Sequence, residues 1–219
     1  IHQGLKSHES EISSPSLVLR DECDIDGLML RVDKTMSLDS EKATISRLRG
    51  SIKQLALKGS KEKNKVIFKR CNFSVQNLNQ SKHTTLSSST IYGTDPQASH
   101  HIAEEMEFQL SAFATRAQVH VASNGRVILK DFSTLKAGRL WQHGNIQNHG
   151  SRIASEQVLK EGGELMSSRG AVTVEGDFIS TGGSTKFADK SKARVANIYQ
   201  KSSTVSLKNN GFLSASQQI

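Results

Sequence analysis

The second half of the chain breaks into pieces that resemble one another. They read STLKAGRLWQHGNIQNHG (133–150), SRIASEQVLKEGGELMSSRG (151–170), AVTVEGDFISTGGSTKFADKS (171–191), KARVANIYQKSSTVSLKNNG (192–211) and FLSASQQI (212–219). Glycines recur six residues apart at 138, 144 and 150 and again at 170, 176 and 182, and nineteen apart at 144, 163 and 182. A strand of three or four residues fits each six-residue interval, with the glycine supplying the positive φ of a tight corner. Three such strands and corners predict one coil.

Apolar residues in this half alternate with polar ones. Leu135 and Ala137, and then Val172 and Val174, have the period of two that is typical of strands with one buried face. Strands this short bury a core only when coils stack, each strand pairing in parallel with the one above. The sequence therefore predicts an all-β chain, a right-handed parallel β-helix (solenoid) with about three short strands per coil.

The first half has the same alternation with a looser period. LVLRDECDID (17–26) and KVIFKRCNFS (65–74) match in phase, and ATISRLRGSIKQLAL (43–57) lies midway, which suggests two coils of about 24 residues. We expect an N-terminal lead-in over 1–16, irregular coils with longer loops over 17–132, and regular coils of about 19–21 residues over 133–219.

Two local features interrupt the expected coils. Residues 94–108 are the least strand-like stretch, and a cap at Thr94 or Asp95 with Pro96 behind it predicts a small irregular or helical excursion. Asn124-Gly125, placed between two alternating stretches, is a strong turn signal. A β-sandwich is the alternative fold, but it needs longer strands and hairpin turns throughout.

The sequence resembles the repeats of filamentous-haemagglutinin-type large exoproteins. The resemblance lies in GRLWQHGNIQNHG (138–150) and GNIQNHGSRIAS (144–155), and its pattern is carried by Gly144, Ile146, Asn148, Gly150, Ile153 and Ala154. It implies a secreted or cell-surface bacterial protein, exported through an outer-membrane partner. In that family the β-helix forms a long shaft that is adhesive or presents a toxin.

The chain is basic, with 29 Lys and Arg against 21 Asp and Glu, a net charge of +8. Such a charge favours anionic partners such as acidic glycans, although a modestly basic protein without such a partner has the same composition. The densest cluster is a possible anionic-ligand patch formed by Lys58, Lys61, Lys63, Lys65, Lys69 and Arg70. Nucleic acid is not expected as a partner, because the cluster lacks aromatic residues placed to stack on bases. No apolar run reaches the length of a membrane span.

Candidate catalytic and metal-binding residues are few. The acidic stretch Asp21, Glu22, Asp24 and Asp26 could place two carboxyl groups on one face, as a glycosidase requires. His100, His101, His143 and His149 have none of the familiar zinc spacings, so we expect no metal site, and no cofactor motif is present. Cys23 and Cys71 are expected to be buried thiols, too far apart for a disulfide.

These observations favour a non-enzymatic β-helical segment of a secreted adhesin or exoprotein. It would serve as shaft and contact surface towards a host or neighbouring cell, with acidic glycans as candidate ligands. One alternative is a β-helix polysaccharide lyase or glycoside hydrolase, which would need outward Asp, Lys and Arg side chains to converge in one cleft. A further alternative is a basic solenoid that binds anionic polymers by charge alone.

Overall fold

The structure is a computed structural model that describes the backbone of residues 5–20, 22–59 and 65–218 and the side chains of 11–20, 22–59 and 65–216. Within these ranges the chain forms 22 parallel β-strands and no helix, so no described helix could cross a bilayer. In chain order the strands are β1 (Leu5–Arg20), β2 (Cys23–Asp39), β3 (Lys42–Ser46), β4 (Arg49–Leu57), β5 (Lys65–Lys69), β6 (Asn72–Gln80), β7 (His83–Ser87), β8 (Thr90–Gly93), β9 (Ser99–Ile102), β10 (Glu105–Gln109), β11 (Ala112–Ala114), β12 (Gln118–Val121), β13 (Arg126–Lys130), β14 (Thr134–Gln142), β15 (Asn145–His149), β16 (Arg152–Lys160), β17 (Glu164–Ser168), β18 (Ala171–Ser180), β19 (Ser184–Ala188), β20 (Lys192–Gln200), β21 (Thr204–Leu207) and β22 (Phe212–Gln218).

Each coil has three sides, which the coil 145–160 illustrates. Side A is β15, side B is the first half of β16 (152–155), and side C is its second half (157–160). Side A pairs only with side A of the neighbouring coils, as β15 does with β13 and β17. The predicted three short strands per coil are therefore confirmed, although sides B and C run on as one bent strand in most coils.

The coils stack in register along the whole described chain. One inward column on side B contains eleven residues and so marks ten turns: Ile12, Leu30, Gly50, Phe73, Ile91, Phe113, Leu135, Ile153, Val172, Ala193 and Leu213. Coil length varies from 18 residues (Phe73 to Ile91) to 23 (Gly50 to Phe73). The parallel β-helix predicted from the sequence is the observed fold.

Stacked apolar side chains fill the interior of the solenoid. On side A an inward column runs through Ile25, Ile45, Phe68, Leu86, Phe108 and Leu129, all buried. Val172 and Val174 are buried on side B, as predicted. Leu207 belongs to an inward column but is 51% exposed, because no described strand pairs with the edge of β21 opposite β19.

The corner between sides A and B has a left-handed residue in each coil. Thirteen residues with positive φ occupy these corners: Gly27, Arg47, Arg70, Ser88, Leu110, Asp131, Phe132, Gly150, Arg169, Asp189, Lys190, Asn209 and Asn210. Behind the corner lies a ladder of buried serines. The backbone N–H groups of Ser89, Ser111 and Ser133 donate to the hydroxyls of Ser111, Ser133 and Ser151 in the next coil, at 3.0–3.1 Å. The ladder satisfies backbone groups that the bend leaves outside the sheet.

The predicted role of the glycines is only partly correct. Of the six glycines spaced six residues apart, only Gly150 has a positive φ. The others allow close approach between coils: a Cβ on Gly144 would overlap the carbonyl oxygen of Gly125, and one on Gly138 that of Arg116. Glycine is therefore needed mainly where two backbones approach closely, since any side chain there would separate the coils.

Several local expectations differ from the structure. No helix forms within 94–108; residues 94–98 are a loop, and β9 and β10 within this stretch belong to the solenoid. The strand β1 starts at Leu5 and pairs with β2, so the described part of 1–16 lies in the stack. Asn124-Gly125 forms a turn, closed by a bond from the Gly125 N–H to Ala122, but the flanking strands do not pair as a hairpin.

The two cysteines are free and buried, as expected, but they occupy different columns. Cys23 is on side A and stacks on Ala43, whereas Cys71 lies behind the A–B corner in the column of Ser89. The matched phases of 17–26 and 65–74 reflect the alternation of inward and outward residues. This alternation shows which residues face the core but not which column each of them joins. Burial raises the pKa of the Cys71 thiol to about 11.

Candidate contact surface

The structure separates the cations of the possible anionic-ligand patch. Lys61 and Lys63 lie outside the described residues. Lys58 and Lys65 flank the corner between sides C and A, whereas Lys69 and Arg70 lie at the A–B corner, at the other end of strand β5. Four intervals along an extended strand span about 13 Å, so these residues face two different edges of the solenoid.

A denser group of cations lies on side B and its corner with side A. Its members are all exposed, and we call them the basic strip: Lys136, Arg152, Arg169, Lys190, Lys192 and Arg194. Lys136 and Arg194 stand in one outward column and are three coils apart, a distance of about 14 Å. Arg152 and Lys192 stand in the neighbouring column two residues earlier. Six positive charges thus occupy four successive coils.

Carboxylates are placed away from the outward columns of side B. Between Met29 and Ser214, the described outward residues on the strands of this side include no Asp or Glu. They include six cations, four from the strip and two from earlier coils: Arg31, Arg49, Lys136, Arg152, Lys192 and Arg194. Glu156 and Glu175 lie at the far corner, between sides B and C. At the near corner, Asp189 accepts bonds from Ser168 and Asn209, which lower the pKa of its carboxyl group. The positive charge of the strip is therefore concentrated on the outward columns of side B, because Asp131 and Asp189 accompany Arg169 and Lys190 at the A–B corner.

The pKa of His149 is affected by cations near this corner. It ends β15 on side A, next to the corner residue Gly150. Burial lowers the pKa of His149, and the positive charges of Lys130, Arg169 and Arg126 lower it further. The three neighbouring cations therefore add to the effect of burial in disfavouring the protonated imidazole.

The acidic stretch that suggested a glycosidase lies on a different side. Asp24 and Asp26 are outward residues of side A in β2, and Asp26 accepts a bidentate ion pair from Arg47 one coil on. Thr44 and Ser46, not acids, stack on them. Asp21 lies outside the described residues, and Glu22 is exposed in the turn before β2.

One groove adjoins the loop 94–98, between sides B and C. Its volume is about 450 Å³, and its lining includes Arg116, Arg139 and Glu156. Glu156 is the single carboxylate among the described residues that line it. Because retaining and inverting glycosidases both use two carboxyl groups, this groove does not offer the pair that hydrolysis would require.

The histidines considered as metal ligands are not brought together. His100 points into the core of side C and is fully buried. Its Nδ1 accepts the Leu78 N–H at 3.2 Å, and its Nε2 lies 3.2 Å from the Thr115 hydroxyl. Burial lowers the pKa of His100 to about 4, so this residue is a neutral core side chain.

His101 belongs to an outward row of rings on side C. His101, His120 and Trp141 stack in successive coils, and the ring centroids of His120 and Trp141 are 4.7 Å apart. His143 lies at the edge of this row, where Glu161 Oε2 is 3.2 Å from both His143 Nε2 and Trp141 Nε1. Burial and the neighbouring imidazoles lower the pKa of His120.

Two buried lysines lie near the corner between sides C and A. Lys160 donates to the carbonyl oxygen of Gly182, and among the described residues the ammonium of Lys82 has no hydrogen-bond partner. Burial lowers the pKa of both. These cations are not available at the surface, so they add nothing to an anion-binding face.

Comparison with protein-family models, with curated proteins and with solved structures found no match to this chain. We therefore infer the function from the fold and its outward residues. The basic strip was not predicted, since its six members are scattered over 136–194 in the sequence. Part of its signal was recoverable: Lys136 lies in the outward phase between Leu135 and Ala137, whose alternation was already identified.

Proposed function

We propose that this protein is a non-enzymatic β-helical segment of a secreted bacterial adhesin or exoprotein. It serves as a shaft and as a contact surface for anionic polymers such as acidic glycans. The resemblance of 138–155 to haemagglutinin-type repeats supports the shaft and the export through an outer-membrane partner. The basic strip carries the contact role, because six exposed cations on four coils offer an extended polyanion many simultaneous ion pairs.

Binding of this kind is a sum of weak contacts. Each exposed pair contributes little and is screened over about 8–10 Å at physiological salt. An extended polyanion releases counterions as it meets the strip, so affinity falls steeply with salt concentration. No single lysine or arginine is expected to be essential.

The test is retention on heparin and on polyuronate columns over a salt gradient. Neutralising Arg152, Lys192 and Arg194 together to Gln should weaken retention and reduce the salt slope by about one for each lost ionic contact. The matched control neutralises Lys58, Lys65 and Lys201, which changes the net charge equally away from the strip. Equal losses in the two triple variants would show that only net charge matters and would contradict the strip.

The same samples test the enzymatic alternative. Unmodified protein is incubated with acidic polysaccharides, and product release is measured. We expect none. Turnover that disappears in Asp24→Asn, with retention on heparin unchanged, would overturn the non-enzymatic function, since catalysis depends on single groups and polymer binding does not.

A further inference from the structure

Side A brings together three side chains that can ligate a metal. His83 begins β7, and Glu105 and Glu107 are outward residues of β10, which pairs with β7 in the next coil. One ligand atom from each of the three lies within 4.8 Å of the other two, and all three side chains are half-buried. The cluster is independent of the basic strip, which lies on side B.

His83 and Glu105 lie close enough to ligate one ion, although a protonated imidazole would make the same contact as an ion pair. His83 Nε2 lies 3.0 Å from Glu105 Oε1. The nitrogen has almost no solvent contact and no hydrogen-bond partner of acceptable geometry among the described residues. A buried nitrogen facing a carboxylate oxygen without a well-directed proton between them is stabilised when both atoms coordinate one cation.

Neighbouring residues orient the two carboxylates. Arg126 donates to Glu105 Oε2 at 3.3 Å, which leaves Oε1 facing His83. Lys130 and Gln109 both donate to Oε1 of Glu107, at 3.0 and 2.6 Å. Ligating carboxylates in metal sites are commonly held by such outer hydrogen bonds, which here engage one oxygen of each carboxylate and leave the other available as a ligand.

We propose that His83, Glu105 and Glu107 bind a divalent transition-metal ion of the zinc type across two neighbouring coils. One imidazole nitrogen with two carboxylate oxygens suits Zn²⁺ or Co²⁺, whereas Ca²⁺ and Mg²⁺ prefer oxygen ligands throughout. Water completes the coordination. Because the ligands come from β7 and β10, the bound ion links two coils and stabilises their stacking.

The experiment uses the whole chain after treatment with EDTA. Zn²⁺ binding is measured by calorimetry, Co²⁺ binding by its visible absorption, and the melting temperature is measured with and without Zn²⁺. We expect one ion per chain, a higher melting temperature with the metal, and at least a tenfold rise in Kd in both His83→Ala and Glu107→Gln. Glu107→Gln keeps the size of the side chain and so guards against a folding defect.

Two control variants locate the ion. His149→Ala removes another half-buried side-A histidine and should leave the affinity unchanged. His101→Ala removes one member of a close pair of imidazoles on side C, in which His101 Nδ1 and His120 Nδ1 are 3.1 Å apart. Binding that is lost in His101→Ala and kept in His83→Ala would overturn the proposal. So would the absence of binding in the unmodified chain, which would leave the cluster as a ladder of ion pairs.

Discussion

His100 ties the stability of the solenoid to pH at the scale of a single residue. Its Nδ1 accepts a backbone N–H, so the neutral ring carries its proton on Nε2, towards Thr115. A second proton would place an N–H against the Leu78 N–H in a site without solvent. The pKa of about 4 in the folded chain is therefore well below the value of an exposed imidazole.

The first prediction follows from this difference. Between pH 6.5 and about 4 the unfolded chain binds a proton that the folded chain excludes. This contribution to the free energy of unfolding is complete above pH 6.5 and falls with decreasing pH, by ~3 kcal/mol at the lower limit. Urea unfolding at pH 7, 5.5 and 4.5 measures it.

The matched variants are His100→Gln and His101→Gln. His100→Gln should have a smaller dependence of unfolding free energy on pH in this window, because it removes the buried imidazole. His101→Gln alters the outward neighbour and should keep the slope of the parent. Identical slopes in the parent and in His100→Gln would show that the imidazole does not titrate as described.

At the scale of the corner, glycine is required for two reasons: a left-handed backbone conformation and the close approach of two coils. Two glycines allow these reasons to be tested separately. Gly150 has φ +64° and open space where a Cβ would lie, with no heavy atom within 4 Å. Gly163 has φ +60°, and a Cβ there would overlap the carbonyl oxygen of Gly144 in the neighbouring coil. The first glycine serves backbone conformation alone, and the second serves conformation and close approach.

The second prediction compares Gly150→Ala with Gly163→Ala. Gly150→Ala should destabilise by about 1–2 kcal/mol, the cost of a left-handed alanine. Gly163→Ala should cost at least twice as much, because the coils around Gly144 must also move apart and weaken their ladder bonds. Urea midpoints of the two variants decide the matter, and equal losses would mean that the close approach is not needed.

The corners also show which structural features the spacing of glycines predicts. The nineteen-residue interval between Gly144 and Gly163 predicted a coil correctly, because coils of equal length place equivalent corners in register. The positive φ predicted for the six regularly spaced glycines occurs only at Gly150, and other residues, among them Arg47, Arg70 and Arg169, adopt it at other A–B corners. An exposed corner accepts a left-handed arginine at a modest cost, and nothing in its local sequence marks it.

The whole molecule is a stack in which each coil contacts its neighbours. Stability in such an array is a sum over coils and their interfaces, so a local defect opens nearby coils first. Val174 is buried on side B, with Ser155 below it and Val195 above it in the column. Thr173, one residue earlier, points outward from the same strand.

The third prediction uses this pair. Val174→Asp buries an unpaired carboxylate, at a cost of several kcal/mol unless the group protonates or the coil opens. Hydrogen exchange should accelerate over 152–200, while 65–91 stays protected. Thr173→Asp should leave exchange in both regions near that of the parent. Uniform acceleration along the chain would contradict an array of independently opening coils, and unchanged exchange would contradict the inward position of Val174.

The sequence by itself determined the architecture and most of the inward residues. Alternating apolar residues and repeated glycines report local conformation and one buried face, and these are properties of a few consecutive residues. The tertiary structure alone decided which residues share a column. Cys71 and Cys23 lie in different columns, and the described cations of the predicted anionic-ligand patch lie at two different edges. The strip from Lys136 to Arg194 and the cluster of His83, Glu105 and Glu107 formed from residues far apart in sequence. The physical reason is that coil length varies by several residues. The register therefore depends on the pairing of whole strands, and the differences in coil length add up along the stack.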